Sequence, residues 1–171
     1  MTDGLTATTV PTPLGELTVV VSASGVLATA FAEDGDSGGV ELDRLEARIG
    51  APIDRRRRGL APVRRQVERY FRGSPAAFTT PVDLSLVAPG FGLRVLEATM
   101  RIPFGELATY GDVADAAGSP RGGRAAGNVL NRCPIELFVP CHRVVHASGT
   151  IGGYGRHEDR KRWLLRHEGT V

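Results

Sequence analysis

The chain is poor in cysteine and in long apolar runs, and each scarcity excludes a class of protein. Its 171 residues include two cysteines, Cys133 and Cys141. Two are too few for a disulfide scaffold, so we expect a reducing, cytoplasmic location. No apolar run approaches the roughly 18 residues of a membrane span, and the N-terminus lacks the basic and apolar regions of a signal peptide. We therefore expect no membrane association.

A metal-binding pattern is missing as well. The four histidines and two cysteines do not show the spacing of a structural zinc site. We expect neither a metal nor any other cofactor.

The sequence also lacks a strong excess of one charge. The formal net charge is +2, which does not by itself indicate a nucleic-acid-binding protein. Residues 91–171 carry eleven basic against eight acidic side chains, and residues 1–90 carry ten against eleven. The more basic C-terminal half permits contact with phosphates. Of the 21 basic residues one, Lys161, is a lysine, and no function follows from this bias alone.

What the chain does contain is a change of pattern around residues 87–90, a Pro/Gly stretch typical of a linker. In the half before it, apolar periodicity predicts a hairpin of strands 17–21 and 25–31, helices over 40–49 and 63–71, and a strand over 78–84. The arginine run 55–58 has two interpretations, a nucleic-acid patch or a solvated approach to the second helix, and we favour the second.

The half after the linker has a helical pattern. Its first helix starts at Phe91 and places on one face Val95, Leu96, Thr99 and Met100. Two short helices over 110–117 and 123–130 follow, joined by a Gly-Ser-Pro turn. This is the pattern of a helix-turn-helix, which usually binds DNA.

The second short helix has an unusual exposed face. We expect Ala125, Ala126 and Gly127 to be exposed there, and none of them has a side-chain hydrogen-bonding group. Such a slim helix suits close approach to a groove whose base sequence is not read.

A thiol and an imidazole adjoin at Cys141 and His142. A neighbouring base shifts a cysteine toward its nucleophilic thiolate. Neighbouring side chains on an extended segment point to opposite faces, however. From these two residues alone, a reactive site and a buried, inert cysteine remain equally open.

The context of this pair resembles the O6-alkylguanine-DNA alkyltransferases. The matching strings around the pair and after it are P-C-H-R-V-V (140–145), S-G (148–149), G-G-Y-G (152–155), W-L-L (163–165) and H-E-G (167–169). Those before it are I-P-F-G-E (102–106), T-Y-G-D-V-A (109–114) and R-A-A-G (124–127). The resemblance is strong over about residues 88–169 and weak in the N-terminal half, where it rests on T-P-L-G-E-L-T (12–18).

The resemblance implies a fold and a reaction. The fold is α+β, with a small ribonuclease-H-like α/β lobe over residues 1–87 packed on a helical, winged-helix-like domain with a helix-turn-helix over 88–171. The reaction is DNA repair, in which each molecule moves one alkyl group from O6 of guanine in double-stranded DNA to a cysteine. We expect a monomer, and the range of alkyl groups and the repair of O4-alkylthymine stay open.

The resemblance also assigns catalytic residues. Cys141 matches the alkyl acceptor, His142 matches the base that takes the thiol proton through a water, and Glu168 matches the carboxylate that orients this histidine. The three follow the logic of a nucleophile, a base and a group that orients the base.

A base inside a duplex hides its O6 substituent, so it must be flipped into a pocket. By resemblance, Arg124 fills the vacated stack, Tyr110 rotates and then binds the guanine, and Gly111 and Ser119 contact the DNA. Segment 148–155 closes the pocket. The residues that would bind the base are Tyr154 as an apolar wall, the carbonyls of Cys141 and Val144 as acceptors, and the N–H of Gly155 as a donor to O6.

Two positions depart from the family pattern. Cys133 stands where members usually carry an asparagine that joins the helix-turn-helix to the acceptor segment, and a thiol cannot replace a carboxamide. We expect Cys133 to be a small buried apolar filler, with Asn131 or backbone groups holding the join; a redox-sensitive disulfide with Cys141 is the other possibility. Glu136 occupies a position that is often apolar.

Three other functions compete with alkyl transfer. A Cys-His hydrolase would leave the helix-turn-helix unexplained, and a transcription factor would need base-reading side chains. A protein that binds alkylated DNA without repairing it is the main alternative. Relatives of that kind carry tryptophan in place of the acceptor, whereas this chain has Cys141.

Overall fold

The computed structural model describes residues 4–36, 38–55, 59–75 and 78–171. The chain divides into two compact units, Met1–Leu86 and Val87–Val171. The first contains an antiparallel sheet with helices and the second is mainly helical, so the mixed α+β class is confirmed. None of the described helices is long and apolar enough to cross a bilayer.

The first unit is built on a three-stranded antiparallel sheet in the order β1-β2-β3. Its strands are β1 (Thr6–Thr12), β2 (Gly15–Ser22) and β3 (Gly25–Phe31). The β2–β3 hairpin was predicted, whereas β1 was not. Gly25 is required at the hairpin turn, because its φ is +141° and an added Cβ would lie 2.1 Å from the Pro81 carbonyl oxygen.

Two helices cover this sheet, α1 (Gly38–Ile49) and α2 (Ala61–Phe71). Helix α1 packs on β2 and β3, and α2 packs on β1. Val19 and Val20 point to opposite faces of β2, yet both are 0% exposed. The sheet is therefore buried on both sides, and both predicted helices of this unit are confirmed.

The strand predicted over 78–84 is wrong. Only Val82 pairs there, in a single bridge to Val26. Pro81 has no N–H to donate to a ladder, and the N–H groups of Thr79 and Thr80 donate instead to the Gln66 side chain at 2.9 and 3.0 Å.

The arginine run 55–58 is described only in part, since residues 56–58 lie outside the described residues. Arg55 itself pairs with Asp43 at 2.5 Å and Glu46 at 2.9 Å.

The second unit contains four helices and two short strands within its described residues. They are α3 (Phe91–Thr99), β4 (Ala108–Thr109), α4 (Tyr110–Ala116), α5 (Gly123–Leu130), β5 (Val144–Val145) and α6 (Glu158–His167), with a 3₁₀ turn over Cys141–Arg143 before β5. Strands β4 and β5 pair in parallel. The helices α3, α4 and α5 were predicted, but β4, β5 and α6 were not. Met100 was placed on the inward face of α3 wrongly, since it is 40% exposed.

Local hydrogen bonds fix the two ends of α4. At its start Thr109 and Asp112 form a capping box, which stabilises the first turn and sets the position of Tyr110. At its end Gly118 has a φ of +79° and the Ser119 N–H donates to the Ala114 carbonyl at 2.8 Å. This is a Schellman cap, and it turns the chain toward α5.

Candidate active site

Cys141 begins the 3₁₀ turn that precedes β5. The Cys141 N–H donates to the Val139 carbonyl at 2.8 Å, and the side chain is buried, with the residue 2% exposed. The acceptor candidate therefore lies on a tight turn. Burial, and then a hydrogen bond with the Cys133 side chain, raise the pKa of the Cys141 thiol well above its usual value. The resting sulfur is a neutral thiol.

The next two residues of the turn converge on Glu168. His142 Nε2 lies 2.7 Å from Glu168 Oε1, and Arg143 donates from Nε and Nη2 to the two carboxylate oxygens at 2.9 and 3.0 Å. The Gly105 N–H donates to Oε2 at 3.2 Å. The side chains of His142 and Glu168 are 0% exposed. A carboxylate that is paired with a guanidinium is ionised and can only accept hydrogen bonds. His142 Nε2 must therefore carry the hydrogen that points to Glu168.

The ring of His142 favours its neutral form. Burial lowers the pKa of His142, and its hydrogen bond to Glu168 only partly opposes this. With Nε2 occupied by Glu168, Nδ1 is the nitrogen that can take a proton from a thiol or from a water.

Lys161 on α6 is a further charged group near Cys141. Its Nζ donates to the carbonyls of Val144 at 2.5 Å and Gly153 at 3.2 Å, and to the Tyr110 phenol oxygen at 3.3 Å. The residue is 0% exposed. Burial lowers the pKa of Lys161 to about 8, and the interaction with Cys141 opposes that shift. The ammonium in turn lowers the pKa of Cys141, so it favours the thiolate.

Tyr110 and Arg124 meet at one cavity on the α4–α5 face. The cavity has a volume of about 450 Å³, and its lining residues are Tyr110, Gly123, Arg124, Gly127, Asn128, Asn131, His146 and Gly153. Arg124 is exposed, whereas Tyr110 is 9% exposed and its ring centroid lies 4.9 Å from that of His146. Burial raises the pKa of Tyr110, so the phenol keeps its proton.

The remaining predicted DNA contacts, Gly111 and Ser119, lie at the start of α4 and in the turn that follows it. Gly111 is exposed in the first turn of α4, and Ser119 is half-buried in the connecting turn. Ala125 is exposed as predicted, but Ala126 is 0% exposed and faces the core. The exposed face of α5 therefore does not include Ala126, which the sequence had placed on it.

The segment after β5 folds over Tyr110. Gly152 has a φ of +72°, and an added Cβ would lie 2.4 Å from the Tyr110 phenol oxygen. At Gly153 a Cβ would lie 2.8 Å from Asn131 Oδ1. Tyr154 is buried with its ring edge-on to His142 at 6.5 Å, and Gly155 is exposed. Glycine is needed because the backbone approaches both side chains so closely.

The two departures from the family pattern both affect the acceptor. Cys133 is half-buried, so the expectation of a fully buried filler was wrong. The Cys133 thiol also raises the pKa of Cys141. Glu136 is half-buried, and its charge raises the pKa of the Cys141 thiol. Asn131 lies beside Gly153 and Gly155.

Comparison with known proteins places these features in a family. The profile of the 6-O-methylguanine DNA methyltransferase DNA-binding domain matches residues 90–170, and that of the ribonuclease-like domain of the same proteins matches residues 5–84. A relative in Thermus thermophilus, named a DNA base-flipping protein, is 37% identical over 94% of this chain and 98% of its own length. The chain belongs to the 6-O-methylguanine DNA methyltransferase family.

Other members of the methyltransferase family match part or nearly all of the chain. The methylated-DNA–protein-cysteine methyltransferase of Mycobacterium tuberculosis is 44% identical over 60% of this chain, and the aligned stretch spans 61% of that relative. The crystal structure of Mycobacterium tuberculosis OGT in complex with DNA has 32% identity and a TM-score of 0.76, and the match covers 96% of this chain and 92% of that one.

Two polar residues of this methyltransferase-family site were missed by sequence reasoning, Arg143 and Lys161. Arg143 lies inside the P-C-H-R-V-V string but was given no role. Lys161 carried a signal, since it is the one lysine in a chain that otherwise uses arginine. Among the described residues, no group of three or more His, Cys, Asp or Glu side chains could hold a metal ion.

Proposed function

We propose that this protein repairs DNA by moving the alkyl group of O6-alkylguanine to the Cys141 thiol, once per molecule. The observation that carries the proposal is the buried network of His142, Glu168 and Arg143 directly beside Cys141. A cysteine that only filled a core would not need a buried, charge-supported base as its neighbour.

The first step is removal of the thiol proton. The raised pKa of Cys141 means that a thiolate is not preformed, so a base must take the proton as the sulfur reacts. His142 is neutral because burial lowers its pKa, and its Nδ1 receives the proton through a water. Glu168 holds Nε2 at 2.7 Å and stabilises the imidazolium that results. Lys161 supplies a positive charge for the developing thiolate.

The second step is a displacement at the alkyl carbon. The bond from Sγ of Cys141 to carbon forms as the bond from carbon to O6 breaks, and the electron pair goes to the guanine. The proton that left the thiol ends on the guanine ring, which is restored to its neutral form. Tyr110 keeps its phenol proton and donates a hydrogen bond to the leaving base.

The thioether has no leaving group for a reverse reaction. The sulfur–carbon bond is therefore permanent, and a second lesion needs a second protein molecule.

The flipped guanine enters from the cavity that Tyr110 and Arg124 line. Arg124 is exposed at the rim, where its planar guanidinium can take the place of the base in the stack. Gly111 and Ser119 contact the backbone of the DNA. The crystal structure of the mycobacterial relative in complex with DNA supports DNA as the partner.

The base-binding positions surround this route. Tyr154 forms an apolar wall, the Gly155 N–H donates to O6, and the carbonyls of Cys141 and Val144 accept from the guanine amino group. The Val144 carbonyl already accepts from Lys161 at 2.5 Å. It keeps one lone pair for the guanine, so we expect that bond to be the weaker of the two.

A second candidate function is lesion binding without chemistry. The Thermus relative named a DNA base-flipping protein aligns over nearly its whole length, and the raised pKa of Cys141 lowers the fraction of thiolate. Both functions require a flipped base, but only alkyl transfer modifies the Cys141 sulfur.

Peptide mapping after incubation with O6-methylguanine duplex DNA separates the two functions. Alkyl transfer predicts one added methyl on the peptide that contains Cys141, and none in Cys141→Ser. Tight binding of the lesion with an unmodified Cys141 would reject the proposal and favour lesion binding.

A further inference from the structure

Helix α5 carries two residues of the cavity on one face. Arg124 lies in its first turn, and Asn131 directly follows its last residue, seven positions later, which is close to two helical turns. Both residues line the cavity of about 450 Å³. On the opposite side of the helix, Ala126 and Leu130 are 0% and 5% exposed and pack in the core. The face of α5 that carries Asn131 is therefore fixed in place.

The Asn131 carboxamide lies against the backbone of residues 153–155. A Cβ added at Gly153 would meet three Asn131 atoms first, Oδ1 at 2.8 Å, Nδ2 at 3.3 Å and Cγ at 3.4 Å. Because the φ of Gly153 is not left-handed, its backbone would allow alanine, and it is the carboxamide that fills the space. At Gly155 an added Cβ would lie 3.8 Å from the Asn131 carbonyl oxygen. Residues 153–155 therefore form a segment that crosses the end of α5, the crossing segment.

Lys161 on α6 is a second contact of the crossing segment. Its Nζ donates to the Gly153 carbonyl at 3.2 Å and to the Val144 carbonyl at 2.5 Å. Three of the four residues 152–155 are glycine, which has the most conformational freedom to lose on folding. A backbone of this kind keeps one position only where contacts restrain it. Tyr154, which is 3% exposed, lies between the two glycines of the segment, so its position depends on those contacts.

We propose that Asn131 is a positioning residue, which holds the crossing segment against α5 and so sets the positions of Tyr154 and Gly155 toward the flipped guanine. It acts through the segment and not on the sulfur. The inference deepens the proposed function and rests on its flipped base. Asn131 also links recognition of the duplex to the base pocket, because the same helix face carries Arg124 at the duplex and Asn131 at the segment.

The test is binding by the full-length protein in the Cys141→Ser background, where no alkyl group can move, to duplexes with and without one O6-methylguanine. The ratio of the two affinities measures how well the flipped base is held. Asn131→Ala should lower this ratio at least fivefold and change the affinity for the unmodified duplex less than twofold, because Arg124 and the rest of α5 stay in place. Arg132→Ala is the matched control, since Arg132 is the exposed neighbour of Asn131. It should change the ratio less than twofold.

Gly153→Ala disturbs the same contact from its other partner. The new Cβ would lie 2.8 Å from Asn131 Oδ1 and push the carboxamide away, so the ratio should again fall at least fivefold. In the double variant Asn131→Ala/Gly153→Ala the two losses should not add, since residues that share one contact are not independent. We expect its ratio to stay within twofold of that of the weaker single variant. Circular dichroism should show that every variant is folded before binding is measured.

Three results would overturn the inference. One is an unchanged ratio in Asn131→Ala. Another is an equal loss of affinity for both duplexes in that variant, because Asn131 would then contact the DNA directly. The third is a double variant whose losses multiply, since the two residues would then act separately. A failure of alkyl transfer would appear in the parent as an unmodified Cys141 and would leave these ratios intact, because they are measured without the acceptor thiol.

Discussion

At the scale of single residues, Glu168 is the centre of the site. One buried carboxylate accepts from His142, Arg143 and the Gly105 N–H. Breaking a buried ion pair by removing one partner typically costs about 3–5 kcal/mol, because the other charge is left buried. In the proposed mechanism Glu168 orients the base and also stabilises the fold, so a test must separate the two effects.

Glu168→Gln and Glu168→Ala provide that separation. Both remove the charge that stabilises an imidazolium, but glutamine keeps an acceptor for His142 and Arg143. We expect repair by folded protein to slow at least tenfold in both variants, and thermal stability to fall further in Glu168→Ala. The measurements are single-turnover repair and thermal unfolding. A repair rate within twofold of the parent in folded Glu168→Gln would contradict the role of the charge.

Lys161 gives a prediction that depends on pH. Its pKa in the folded protein is about 8, against an ordinary value of 10.5. Between these values the unfolded chain holds a proton that the folded protein has released, so the unfolding free energy rises with pH in this window. Relative to Lys161→Met, the parent should gain stability from about pH 8 to about pH 10.5. Chemical denaturation across that range measures the difference.

The reactivity of Cys141 should follow the same ammonium. At pH 7 we expect Lys161→Met to react with free O6-benzylguanine at least tenfold more slowly than the parent, because the positive charge near the thiolate is gone. The difference in rate between Lys161→Met and the parent should become smaller above about pH 8, where Lys161 of the parent also loses its charge. Arg162→Met is the matched control, since Arg162 is the exposed neighbour on α6. A gap that does not change with pH would contradict an electrostatic role.

At the scale of elements, helix α5 carries the predicted contact with the duplex. We expect Arg124→Ala to slow repair in double-stranded DNA at least tenfold and to change the reaction with free O6-benzylguanine less than twofold, because only the duplex has a stack to fill. Arg132→Ala removes the same charge from the exposed turn after α5 and should affect both substrates little. Equal losses on both substrates in Arg124→Ala would mean that Arg124 supports the pocket.

The segment after β5 tests how closely backbone and Tyr110 must pack. Gly152→Ala adds a Cβ 2.4 Å from the Tyr110 phenol oxygen at a φ of +72°. Gly149→Ala is the matched control, because its φ is +86° and nothing lies within 4 Å of its Cβ. Both substitutions cost about 1–2 kcal/mol of stability, because alanine disfavours a left-handed backbone. Repair by Gly152→Ala should be at least fivefold slower than repair by Gly149→Ala. Equal repair rates in the two variants would show that Tyr110 tolerates displacement.

The elements with strong periodicity could be predicted from sequence, and those fixed by tertiary contacts could not. Helix α5 has the predicted bounds, residues 123–130, because small residues and an apolar stripe lie between glycine-rich turns. Helix α6 was missed because its ten residues are mostly charged, and it is held by Leu164 and Leu165, both 0% exposed. Strand β1 was missed because its threonines and Pro11 form no clear alternation.

The candidate site shows the same division. The resemblance selected His142 and Glu168, which the structure brings to 2.7 Å although they are 26 residues apart. The contacts of Lys161 with Val144, Gly153 and Tyr110 depend on how the chain folds back, and no local pattern encodes them. Ala126 shows the opposite error, because a small residue on a predicted outer face proved to be core.

At the scale of the whole molecule, the chemistry lies within one unit. The thiol, its base, the carboxylate, the buried lysine and the cavity with Arg124 all belong to Val87–Val171. The net charge of +2 gives little general attraction to DNA. We therefore expect affinity to depend on the local contacts of α4 and α5, and to weaken with salt.

The most direct test of alkyl transfer to Cys141 is a titration of the protein with excess O6-methylguanine duplex, followed by intact mass. We predict that every active molecule gains the mass of one methyl group and that repaired guanine stops increasing at one equivalent of protein. Repair that continues beyond one equivalent would contradict a permanent thioether. Binding of the lesion with no gain in mass would contradict alkyl transfer itself.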